Sequence, residues 1–373
     1  MSIRTVLITG GAGFIGSHLA DELLAHGYRV RVLDNLTPQV HGESRRRPAY
    51  LAADVELQVG DVRNHSAVQR ALENVDAVFH FAAAVGVGQS MYDVEHYTTV
   101  NNVGTAVLYE ALLNRSVQRL IVASSMSVYG EGLFRDTEGR IREGSSRPFE
   151  QLRRGEWEVI DERGYRLAPL PTPETKSATL ESIYALSKFD QERMCLLLGR
   201  AYQIPTVALR FFNVYGTRQA LSNPYTGVLA IFASRLLNGN RPLVFEDGQQ
   251  QRDFVSVTDV VRACRLALEK NEASGKVINV GSGNAYAIAD IARRMAEAMG
   301  KPHLTADITG KYRIGDVRHC FADIALARRV LGYSPQARLD EGLTQLAGWL
   351  EGQVAHDRVD KARHELDSRG LTL

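Results

Sequence analysis

The first third of the chain alternates short apolar runs with longer amphipathic stretches. TVLIT at 5–9 is a continuous apolar run ending on glycines, and the spacing from 14 to 26 repeats with a helical period. Further runs at 28–33 (YRVRVL), 55–59, 77–81 and 119–123 are separated by helical patterns at 66–72 and 99–114. Strands joined by helices of about ten residues or more imply right-handed crossovers and a parallel sheet. The predicted class is therefore α/β, a doubly wound Rossmann-type sheet. The rhythm breaks between 131 and 178, which is rich in Arg, Glu, Gly and Pro and contains PLPTPETK. It reads as an inserted loop with short elements of its own, and a loop that long in a compact enzyme is usually a lid or a mobile segment. The pattern resumes with a helix at 182–201, a strand at 206–211 and helices at 227–238, 257–270, 289–299 and 339–352. The expected organisation is a dinucleotide-binding domain over 1–212, with 253–281 returning to it. A smaller lobe would comprise 213–252 and 282–352, and 353–373 a charged tail, either a peripheral helix or disordered.

Composition narrows the function. A net charge of +1 over 373 residues gives no broad electrostatic footprint for nucleic acid or an anionic membrane. No apolar run approaches the length of a membrane span, and the N-terminus lacks a secretory pattern. Cys195, Cys264 and Cys320 are far apart and odd in number, and the ten histidines form no metal-binding cluster. A reducing cytoplasm and no structural metal are the expectations.

The glycines Gly10, Gly13 and Gly16 in TGGAGFIG follow a strand and open a helix. Such a turn lets the backbone approach a pyrophosphate and aims the helix N-terminus at it. Asp34 ends the second strand, where an acid accepts ribose hydroxyls and repels a 2′-phosphate, so NAD is favoured over NADP. The other reading of Asp34 is a solvated turn residue. Asp61, in GDV after the third strand, is placed to meet adenine, although Gly-Asp is also an ordinary turn. Tyr184 and Lys188 in YALSK lie four residues apart, on one face of a helix. By itself that spacing does not separate a chance pair from a phenol held beside a cation.

Together these motifs resemble the extended short-chain dehydrogenase/reductase family, specifically its nucleotide-sugar epimerases and dehydratases. The resemblance rests on TGGAGFIG, Asp34, HFAA at 80–83, NNVGT at 101–105, SSMSVYG at 124–130, YALSK, RFFNVYG at 210–216 and RDFVSV at 252–257. It implies Tyr184 as acid/base, Lys188 as its electrostatic partner and ribose ligand, and Ser125 as the catalytic hydroxyl. Lys188 and an oxidised nicotinamide would lower the tyrosine pKa by ~3 units, or roughly 4 kcal/mol. It further implies cofactor contacts at Phe14, Ile15, Asn35, Val62, Phe81, Ala82, Ala83 and Asn101. Asn213, Arg252, Arg313 and Asp316 would meet a nucleotide-diphosphate sugar. Cys320 matches a position that limits pocket size in hexose 4-epimerases, and a buried structural cysteine fits equally.

Dehydratases of the family carry Asp-Glu directly after the catalytic hydroxyl, where this chain has Met126 and Ser127. The resemblance therefore implies C4 epimerisation with tightly bound NAD. The insert and the stretch after Asn213 look most like the dTDP-L-rhamnose 4-epimerase branch, with UDP-glucose and UDP-glucuronate 4-epimerases as alternatives. A dehydratase, decarboxylase or reductase of the same scaffold, or a non-catalytic NAD sensor, are the competing classes. The helices at 99–114 and 182–201 pair across a two-fold in this family, which implies a homodimer. Val103, Val107 and 196–198 would serve either that interface or the core.

Overall fold

A computed structural model describes residues 3–115, 117–225, 227–353 and 356–373. Residues 1, 2, 116, 226, 354 and 355, which fall within the expected domains and tail, lie outside the described residues.

Seven strands form the central sheet: β1 Thr5–Thr9, β2 Arg29–Asp34, β3 Glu56–Val59, β4 Ala77–His80, β5 Arg119–Ser125, β6 Thr206–Phe211 and β7 Val277–Val280. Their spatial order is β7-β6-β5-β4-β1-β2-β3, and every neighbouring pair is parallel. β1, β4, β5 and β6 are buried along their whole length. This is why they read as unbroken apolar runs: helices cover both faces of a parallel sheet. The winding reverses between β1 and β4, and a crevice opens at the carboxyl ends of these two strands.

Helix α1 (Phe14–Ala25) covers one face together with α6 (Val257–Glu269). Val260, Val261 and Cys264 share a core with Ile8, Leu19 and Leu23. On the other face lie α2 (His65–Ala71), α3 (Gly104–Leu113) and α4 (Ile183–Ala201), packed around Leu7, Val78, Val107 and Leu112. Val107 is therefore core, with Leu196 and Leu198 packed against it, whereas Val103 and Leu197 are exposed. Ser182 begins α4 by accepting the Ala185 N–H at 3.1 Å.

The stretch expected as one helix over 99–114 is in two parts. Thr98–Val103 is a π turn, and regular α-helix starts at Gly104. The Thr105 hydroxyl donates to the Asn101 carbonyl at 2.5 Å, a local bond that competes with the α ladder. The widened turn presents the Asn101 amide to Ala84 on the loop after β4.

A separate apolar cluster holds together α5 (Val228–Leu237), α7 (Ile288–Ala298) and α8 (Leu339–Leu350), with Phe232, Ile291, Met295 and Leu343 at its centre. The insert folds into a three-stranded antiparallel sheet of Leu133–Arg135, Ile141–Glu143 and Ala168–Leu170, plus a short helix at Phe149–Arg153. Phe134, Val159 and Leu167 form its small core. The tail contains helix α9, Val359–Ser368. Among the described residues no helix is long and apolar enough to cross a membrane.

Candidate active site

The glycine turn after β1 is forced by close packing at two of its three positions. Gly10 has φ +70°, and a Cβ there would sit 2.8 Å from the Ala82 nitrogen. A Cβ on Gly16 would meet the Gly10 carbonyl at 2.6 Å. Gly13 is looser, 3.4 Å from its nearest neighbour, and marks the N-terminus of α1. The chain's own packing thus leaves space in front of that N-terminus.

Asp34 ends β2 and is 8% exposed. Its Oδ2 accepts the Ala12 N–H at 3.0 Å and its Oδ1 that of Leu36 at 2.9 Å. It thereby fastens the glycine turn while still lining the crevice. Asp61 is held by Arg63 at 2.8 Å and Asn35 at 3.3 Å. The Arg63 bonds outweigh burial and bring its pKa down to about 2, so it is a fixed carboxylate.

A single cavity of about 620 Å³ runs from this turn to Arg313. Its walls include Gly10, Gly13, Phe14, Ile15, Gly16, Asp34, Asn35, Asp61 and Val62, then Phe81, Ala82 and Ala83. Ser125, Tyr184, Lys188, Asn213, Arg252, Arg313 and Asp316 line it too. Of the residues predicted to bind or react, Asn101 is the one not on the wall. It is fully buried, its amide spent on both backbone groups of Ala84 and on the Ser187 hydroxyl at 2.8 Å. It holds the wall in place rather than forming it. Cys320 also fails to reach the cavity. It lies in a core cluster with Met126 and Phe212, and burial pushes its thiol up to about 12. No residue of the insert, expected as a lid or a mobile segment, lines the cavity.

Tyr184 and Lys188 both face the cavity from α4. The Tyr184 N–H donates to the Ser90 hydroxyl at 3.0 Å, and its ring meets Tyr97 edge-on at 6.5 Å. Lys188 is 3% exposed and donates to the Gln191 carbonyl at 2.6 Å. The Gln191 amide group donates in turn to Thr105 at 2.8 Å and reaches His80 at 3.2 Å. His80 closes the chain on Thr9 at 2.8 Å. Burial and then the Lys188 charge hold His80 down to about 3, so it is neutral. The sequence reading did not find Gln191, although it lies one helical turn from Lys188 on the same face.

Without a cofactor, burial dominates the electrostatics of both groups. Burial raises the Tyr184 pKa, opposed only by the Ser125 hydroxyl. Burial also lowers Lys188 to about 8. Both groups have lost water, and the ammonium is turned to the Gln191 side chain.

Ser125 ends β5 and accepts the Ser127 N–H at 3.1 Å. Its neighbour Ser124 donates instead to Glu192, which is paired with Arg210 at 2.7 Å. At the far end, Arg313 pairs with Asp316 at 2.7 Å. Arg252 donates to the backbone carbonyls of Gln251, Val317 and Arg318. Side-chain carbonyl oxygens of Asn213, Gln219 and Gln250 are buried on or beside this wall without a protein partner. Buried polar atoms are rarely left so unless a ligand or water completes them.

The comparisons decide the family. Residues 6–151 and 167–281 match the NAD dependent epimerase/dehydratase family. The chain belongs to that family. The family's cofactor is NAD, and the protein is an NAD-dependent enzyme. The crevice fits the group: a glycine cradle closed to any Cβ at positions 10 and 16, an open helix N-terminus and an acid at the end of β2.

Among its relatives, dTDP-L-rhamnose 4-epimerase of Burkholderia thailandensis is 35% identical over 361 residues, 94% of this chain and 96% of the relative. Human UDP-glucose 4-epimerase is 30% identical, over 92% of this chain and 95% of its own. Thermus thermophilus UDP-glucose 4-epimerase, solved with NAD, superposes with a TM-score of 0.76 at 30% identity, covering 94% of this chain and 100% of that one. Bacillus cereus UDP-glucuronic acid 4-epimerase, solved with UDP-glucuronic acid and NAD, gives 0.74 at 28%, covering 93% and 99%.

Proposed function

We propose that the protein is a nucleotide-sugar 4-epimerase acting on dTDP-L-rhamnose and dTDP-6-deoxy-L-talose. The observation that carries the reaction class is the local composition of the wall. Tyr184, Lys188 and Ser125 face one cavity, and positions 126 and 127 supply a buried methionine and a serine. A dehydratase needs acid and base beside the catalytic hydroxyl, and none is present there. The substrate reading is supported by the relative at 35% identity. UDP-glucose or UDP-glucuronate is the second reading, favoured by the similarity to the UDP-sugar epimerases.

In this reading Tyr184 removes the proton of the sugar 4-hydroxyl, leaving a 4-keto sugar, and returns it after the sugar has turned over. Ser125 donates a hydrogen bond to the reacting oxygen and steadies its charge. Lys188 holds the cofactor ribose. NAD, when bound, supplies the acceptor and then the donor of the C4 hydride, and a positive charge that favours ionised Tyr184. The glycine turn, Asp34 and Asp61 hold its adenosine half. Asn213, Arg252, Arg313 and Asp316 form the nucleotide-diphosphate end. A homodimer would use the apolar face left exposed by Val103, Leu186 and Leu197.

Purified protein without added cofactor is incubated with dTDP- and UDP-sugars, and products are followed by NMR. A C4 epimer at equilibrium is the expected outcome, and release of water or CO₂ would sink the reading. Tyr184→Phe is expected to cut turnover by about 10³-fold while NAD stays bound.

A further inference from the structure

Helix α9 reads in sequence as a peripheral charged element, yet Val359, Ala362, Arg363 and Leu366 line the cavity. Their spacing of three and four residues places them on one helical face. Ala362 and Leu366 are 7% and 4% exposed, so this face is docked, not loosely laid on.

Three contacts tie the segment to the substrate end. A Cβ on Gly88 would lie 3.5 Å from the Leu366 methyls and 3.8 Å from Arg313 Cδ, so loop, tail and arginine meet at one point. Beyond the helix, the backbone pairs on both sides of Arg313. Tyr312 and Leu373 exchange N–H···O bonds of 3.0 and 2.8 Å, and the Ile314 N–H donates to Leu371 at 3.0 Å. The Arg369 guanidinium stacks over Tyr92 at 4.5 Å, and the Tyr92 hydroxyl meets that of Tyr225, itself on the cavity wall, at 2.6 Å.

The cations of this end differ in what they have left to offer. Arg252 spends its terminal nitrogens on backbone carbonyls, and Arg313 is closely paired with Asp316. Among the described residues, the ion-pair partner of Arg363 is Asp367, at 3.9 Å. Its donors remain free for an anion.

We propose that α9 is a built wall of the substrate half and that Arg363 binds the diphosphate of the nucleotide sugar. This rests on the nucleotide-sugar reading above. The group recognised is a diphosphate diester with one negative charge on each phosphate, for which a guanidinium offers paired donors.

The test measures calorimetric binding of UDP and of dTDP to the NAD-loaded full chain, wild type against Arg363→Gln and Arg363→Lys, at low and high salt. Arg363→Gln is expected to weaken nucleoside-diphosphate binding about tenfold, with Arg363→Lys recovering part of it. The difference is expected to shrink in high salt, since Arg363 is 32% exposed. In turnover assays KM rises by the same factor while kcat and NAD content stay unchanged. Equal binding by wild type and Arg363→Gln overturns the role of Arg363 alone. Wild type that binds neither diphosphate overturns the nucleotide-sugar reading, and this role with it.

Discussion

The insert at 131–178 and the tail beyond residue 353 look alike as sequence: both are charged, and neither carries a long apolar period. Folded, they exchange the roles that the sequence suggests. The insert, expected as a lid or a mobile segment, stays off the cavity and turns its charges inward. Arg318, 0% exposed, is gripped by Glu246, Asp247 and, from the insert, Glu158. Arg147 of the insert bridges Glu131 and Glu246, all three buried. Among its described residues, the tail reaches the cavity with two well-buried apolar side chains, four residues apart. What a polar segment does is decided by where its charges find partners, and those partners are distant in sequence.

The contrast is sharpened most by Arg318→Met. Removing it takes the shared cation from three carboxylates, although Glu246 keeps Arg147 and Glu158 keeps Arg166 and His319, and is expected to cost about 3 kcal/mol of stability in chemical denaturation, with nucleoside-diphosphate affinity unchanged. If affinity collapses while stability holds, the insert belongs to the site after all.

Glu158→Gln is next. Burial raises the Glu158 pKa, but bonds from His319 and Arg318 outweigh it and hold the carboxyl at about 2, against 4.5. A depressed folded-state pKa contributes stability that is complete above 4.5 and lost as pH falls from there towards 2. The variant should therefore be less stable by about 2 kcal/mol at pH 7, with a shallower loss on acidification. Parallel acid profiles for the two proteins would contradict the network. The smallest effect on stability is expected from the tail. Leu366→Ala should cost about 1–2 kcal/mol, because the helix it anchors is short and buries few apolar side chains, and raise KM roughly threefold. A large loss of global stability with unchanged KM would make the tail scaffold and the insert no different from it.

Much of the sheet was legible because strands buried on both faces leave an unbroken apolar record, as TVLIT does. β7 left too little: VINV is four residues long and pairs with a strand some seventy residues earlier. The glycine turn and Asp34 were legible because their order around a strand and a helix is itself the signal. The burial of Tyr184 and Lys188 was not, since spacing carries no record of how much water a group loses. Gln191 and His80 were missed for a related reason. Their part in fixing Lys188 appears only when β1, β4, α3 and α4 are brought together. Asn101, expected to touch the cofactor, lies at the π turn with its amide bonded to Ala84 and Ser187 instead of lining the cavity.

That turn carries a consequence for how the scaffold tolerates change. A stretch holding one residue more than an α-helix needs can lose a residue and still remain helical. Shortening 98–103 by one would leave α3 intact and swing the amide away from Ala84 and Ser187. The loop after β4 and the helix bearing Tyr184 would then lose the clamp they share, with the fold itself unmoved.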